Sequence, residues 1–168
     1  MSILSRLLGY PTLQERAGAR LNDRDPWVVP ATRDAAAMLR ALPTLLPGGG
    51  FVYFEDTTEA VFASWLQAHA VPAPLKVADG TIWPKPDVFH VPLEPALLEE
   101  AAVLIEQHRI ALPSIHIHAH DGAEVLLQWH DAFIRVPMYV DSKIPRERVD
   151  AFARLIGVGP ISRWESAG

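Results

Sequence analysis

Ser114-Ile115-His116-Ile117-His118-Ala119-His120-Asp121-Gly122 places three histidines at alternate positions directly before a turn dipeptide. Side chains two apart on a strand point to the same face, so the stretch reads as a strand with an imidazole face and an apolar face. Two further β-rich runs, 124–130 and 133–140, follow after short connections, which favours an antiparallel three-stranded meander. The turn sets the faces. A two-residue loop mixes polar and apolar groups on both sides of the hairpin. A three-residue loop with Gly122 left-handed shifts the register by one and segregates them. Ser114, His116, His118, Glu124, Leu126, Gln128 and His130 then share one face, and Ile115, Ile117, Ala119, Val125, Leu127 and Trp129 share the other. Segregation favours this second arrangement.

Working outward, Pro47-Gly48-Gly49-Gly50 breaks the chain before the strand-like Phe51-Val52-Tyr53-Phe54-Glu55. These glycines precede a strand, whereas phosphate-cradling glycines follow one and open a helix, so they read as a linker. Asp56 with Glu59 has the spacing of a capping box for a helix carrying Val61, Phe62, Trp65 and Leu66 on its apolar side. Residues 75–83 read as a small hairpin about Asp79-Gly80, and Val88, Phe89 and Val91 as another short strand. Pro95 opens a helix with Leu97, Leu98, Ala101, Leu104 and Ile105 at helical spacing, and a last helix after Pro145 stops at Gly157. The order β-α-ββ-α-βββ-α predicts an α+β fold, a mostly antiparallel sheet with helices packed on one face. Residues 1–46, with helical patches around Ile3 to Leu8 and Ala35 to Leu42, form a helical N-terminal arm packed on a body of residues 47–168, one domain overall. Thr32 is the expected cap and Pro43 the expected stop of the second patch. Residues 21–27 read as a surface loop anchored by Trp27.

Composition excludes several function classes. With 168 residues, 49% of them hydrophobic and 21% charged, the chain can bury a real core. A net charge of −5 and a pI near 5.8 disfavour nucleic acid, which calls for a basic patch. Lys143, Arg146, Arg148 and Arg154 are interrupted by Glu147 and Asp150, the pattern of a solvated helix face. The absence of cysteine removes disulfides, thiolate metal sites and cysteine nucleophiles. No apolar run approaches the roughly 20 residues that span a bilayer, and the N-terminus lacks a signal-sequence pattern, so no membrane partner and a cytoplasmic location are expected. The Ala- and Pro-rich, Lys-poor usage suits a bacterial source.

Two readings of function follow. A metal centre would draw on His116 and His118 with Glu124 or His130 from the next strand, since imidazoles two apart on a strand can close on one zinc or another divalent ion. Such a centre would activate water for hydrolysis. The run 118–121 resembles the opening of the metallo-β-lactamase pattern, but Gly122 stands where that pattern carries its next histidine. The His-x-His of amidohydrolases lacks here the long barrel that supplies its other ligands. The favoured reading is a non-enzymatic protein-binding or regulatory domain with no cofactor, such as an immunity protein. Its binding candidates are Trp27, Trp83 and the acidic helix face of Glu99, Glu100 and Glu106. Apolar residues of the arm leave a homo-oligomer open.

Overall fold

A computed structural model describes residues 18–81 and 84–164. Trp83 and the patch from Ile3 to Leu8 lie outside these described residues. Among the described residues seven strands form one antiparallel sheet: β1 (Trp27–Val29), β2 (Phe51–Glu55), β3 (Val88–Pro92), β4 (His116–His120), β5 (Val125–Trp129), β6 (Met138–Val140) and β7 (Ser162–Arg163), in the order β3-β2-β4-β5-β6-β1-β7. Four helices accompany it among the described residues: α1 (Ala35–Leu45), α2 (Ala60–His69), α3 (Pro95–His108) and α4 (Arg146–Leu155). The fold is α+β.

Alternation along the strands sorts the side chains. Val52 pairs with both Val91 and Ala119, Phe54 with Ile117, Ile117 with Trp129, and Leu127 with Val140, so one face is continuously apolar. It joins a single core with Met38, Leu39 and Leu42 of α1, Phe62 and Leu66 of α2, Leu98, Ala102 and Ile105 of α3, and Val149 and Phe152 of α4. Each large side chain buried there contributes about 1.5–3 kcal/mol, which makes this face the main source of cohesion. The opposite face carries the histidines, and residues 18–21 and 75–81 lie over it, joined by a parallel bridge between Ala19 and Val77.

The hairpin between β4 and β5 has the segregated register over most of its length, with His118 opposite Gln128 and Ile117 opposite Trp129. Near the turn a bulge intervenes. Ala119 pairs with Leu127 but His120 with Val125, so Leu126 is the extra residue and the expected faces of these two are exchanged. Val125 packs on Tyr53 on the histidine side, whereas Leu126 joins the main core. Gly122 is left-handed, with φ of 99°.

Several local expectations give way in the folded chain. Residues 75–81 form no hairpin among the described residues, because the backbone at Gly80 and Thr81 is bonded to Glu55 instead. Asp56 does not cap α2; it turns the chain with φ of 53° and accepts the N–H of Asp87. Asp34, not Thr32, caps α1 through the N–H of Ala37, and the helix runs past Pro43 to Leu45. Strand β6 begins only at Met138, since Asp131 and Phe133 both have positive φ and turn the backbone away. Residues 27–29 are a strand, and Trp27 is buried in it, its indole N–H donating to the carbonyl of Ile144.

Candidate functional site: a covered histidine face and its cleft

Register assembles the site. Along β4, His116, His118 and His120 stand opposite Glu55, Tyr53 and Phe51 of β2, while His90 of β3 stands opposite Tyr53 from the other side. The rings form one continuous row, Phe51-His120-His90-Tyr53-His118-His130-His116, with successive centroids 4.9–5.3 Å apart. All three strand histidines and His90 are buried.

Hydrogen bonds select the tautomers. Nδ1 of His116 accepts the N–H of Asp131 at 3.0 Å, Nδ1 of His118 that of Trp129 at 3.3 Å, and Nδ1 of His120 that of Gly122 at 3.2 Å. A ring nitrogen that accepts bears no proton, so each neutral ring carries its proton on Nε2. His120 then donates from Nε2 to Nδ1 of His90, 2.9 Å away. Burial disfavours the protonated form of His118 and His120. It pushes His118 well below its ordinary value, reinforced by His130 and His116 beside it, and pushes His120 down to about 4, reinforced by His90. His90 and His130 are lowered in the same direction, chiefly by burial.

At the end of the row lies Glu55, fully buried. Its carboxylate accepts the hydroxyl proton of Tyr53 at 2.8 Å and the backbone N–H groups of Gly80 and Thr81. Burial acts to raise its pKa, but these donors outweigh burial and keep the group below the ordinary carboxylate value. Asp79 shares the Tyr53 hydroxyl at 3.3 Å and is raised, by burial first and by the charge of Glu55 second. One short loop is thereby fastened through a carboxylate to the end of β2.

Above Glu55 opens a cleft of about 460 Å³ lined by Arg20, Asp79, Gly80, Thr81, His116, His130 and Asp131. Gly80 lies against the rings so closely that a Cβ there would stand 2.6 Å from Cδ2 of His116 and 2.9 Å from Nδ1 of His130. Gly80→Ala is therefore expected to cost about 1–3 kcal/mol, read in urea unfolding, as the rings or the loop give way. Two aspartates beside the cleft have left-handed backbones, Asp56 with φ of 53° and Asp131 with φ of 47°. Non-glycine residues held in this conformation cluster at binding and switch sites.

The residues proposed from sequence separate. His116, His118 and His130 come together, but Glu124 does not join them: it faces outward and pairs with Lys143. The bulge and the Asx turn, in which Asp121 accepts the N–H groups of Ala123 and Glu124, direct it away. Among the described residues no three His, Asp or Glu side chains are disposed to hold a metal ion. The acidic face of α3 is compensated internally, Glu99 and Glu106 clamping the Arg40 guanidinium and Glu100 accepting from the Trp65 indole at 3.0 Å. Glu55, Tyr53, His90 and Arg20 are not singled out from sequence. The alternation in Phe51-Val52-Tyr53-Phe54-Glu55 is the one signal that placed Tyr53 and Glu55 on a common face.

Comparisons with protein-family models, with curated proteins and with solved structures gave no match to this chain.

Proposed function

We propose that this chain is a non-enzymatic binding or regulatory domain whose ligand enters the cleft between Gly80 and His130. One observation carries the reading: the Nδ1 lone pairs of His116, His118 and His120 are all spent on backbone N–H groups. A metal ligand or a general base needs an imidazole lone pair, and in these tautomers the remaining nitrogen carries a proton. The metal-dependent hydrolase reading thereby loses His116 and His118, two of its ligands, together. Arg20, His130 and the side chain of Asp131 make no hydrogen bond or ion pair among the described residues while lining one cleft, the disposition of groups kept for a partner. An immunity-type role would add a protein partner, for which Trp164, 48% exposed and edge-on to Tyr139, offers an aromatic contact.

Elemental analysis of protein purified without a histidine tag is expected to find no stoichiometric zinc, manganese or iron, and added ions are expected to leave the melting temperature unchanged. Near-stoichiometric metal that disappears in His118→Ala would overturn the reading. A fragment set screened by amide chemical shift is expected to move Gly80, Thr81 and Asp131 before other residues.

A further inference from the structure

We infer that the cleft above Glu55 takes a small zwitterion bearing an ammonium and a carboxylate, the charge pattern of a free α-amino acid. The inference rests on the cleft being the binding site and goes on to name the ligand.

Arg20 and the carboxylates of Asp79 and Asp131 line the same space, yet none of them forms an ion pair with another. The observed ion pairs of the described residues lie elsewhere, except for the 3.9 Å approach of His116 Nε2 to Glu55. Opposite charges left apart across about 460 Å³ are satisfied together by one molecule that carries both complements at a short separation. A peptide terminus carries only one of the two at its end. Glu55 adds to the demand for a cation. It is buried, and among the described residues its hydrogen-bond partners are a hydroxyl and two amides and no lysine or arginine forms an ion pair with it.

The donors and acceptors agree with this orientation. Arg20 is the cation of the lining and is suited to the carboxylate. Asp131, exposed, is left for the ammonium, and Asp79, which already accepts the Tyr53 hydroxyl, lines the same cleft. Gly80 packs directly against the rings of His116 and His130 and forms one wall of the cleft.

The test is an amide chemical-shift titration of the intact chain with L-glutamine, L-glutaminamide and N-acetyl-L-glutamine, alongside the fragment set. L-Glutamine is expected to move Gly80, Thr81 and Asp131 in a saturable way. Removing either charge, in the amide or in the acetyl derivative, is expected to weaken binding by about tenfold or more. Arg20→Gln is expected to erase the preference for the free acid over the amide, and Asp131→Asn to reduce the preference for the free amine. If the amide and the acetyl compound bind as well as the parent, or if only uncharged fragments move these amides, the zwitterion is wrong while the cleft stands as a binding site. If neither the glutamine series nor any fragment moves them, the binding site falls as well.

Discussion

Moving this protein from about pH 7 to about pH 5 is expected to remove a large part of its folding stability. The groups responsible are the imidazoles of the covered row, because His90, His118, His120 and His130 all have folded-state values below the ordinary 6.5. In the unfolded chain these rings take up protons as the pH falls through 6.5, while in the folded protein they resist. Their contribution is therefore complete above about pH 6.5 and declines as the pH falls, for His120 until its folded value of about 4 is passed. From His120 alone the loss by pH 5 is about 2 kcal/mol, and the other three act in the same direction. A single domain has about 5–15 kcal/mol to lose. Glu55 adds a later, lower limb: its carboxyl lies below the ordinary value of 4.5, so its contribution is complete above that value and is lost as the pH falls from there through the folded one. Urea unfolding at a series of pH values measures the slope. A stability unchanged between the two conditions would mean that the row is not buried and neutral. His120→Phe, which retains a ring against Phe51, is expected to flatten the profile.

Replacing Glu55 with alanine is expected to be the most damaging single change on the polar side of the sheet, costing about 3–5 kcal/mol. The magnitude comes from what is left behind. The Tyr53 hydroxyl and the N–H groups of Gly80 and Thr81 lose their shared acceptor, and each buried donor without a partner costs about 1–3 kcal/mol. Glu55→Gln separates shape from charge: one amide oxygen can still serve a backbone N–H, but the amide nitrogen faces donors, so an intermediate loss is expected. Amide exchange distinguishes local from global damage. Gly80 and Thr81 are expected to exchange much faster in Glu55→Ala, together with the Ala19 and Val77 bridge that depends on the same segment. Unchanged protection at Gly80 and Thr81 would show that the loop is held by something other than this carboxylate.

The elements that were legible in the sequence have local causes. The alternation of histidine with Ile and Ala in β4, the helical spacing of Leu98, Ala101 and Ile105 in α3 after Pro95, and the left-handed Gly122 are each written within a few residues. Even the segregated register of β4 against β5 followed from polarity alone as far as His118 and Gln128. The bulge at Leu126 did not, because Val125 and Leu126 are equally apolar and only the packing of Tyr53 on one side and the helices on the other assigns them.

The candidate site divides in the same way. Sequence by itself determined that His116, His118 and His120 share a face, since a strand's period of two permits nothing else. It did not determine that this face is covered. That depends on residues 18–21 and 75–81 lying across it, and on Glu55 binding the backbone of a loop 25 and 26 residues further along the chain. Nor did it determine the chemistry of the rings. An imidazole with water beside it can bind metal or accept a proton, whereas one whose lone pair faces the N–H of Asp131, Trp129 or Gly122 cannot use that nitrogen for either. Those amides come from the neighbouring strand, from the chain beyond it and from the turn, and nothing within the His-x-His pattern specifies them. Periodicity is a property of neighbours in the chain and can be read from it. Burial and the direction of hydrogen bonds belong to segments that meet only after folding, and here they decide what the histidines can do.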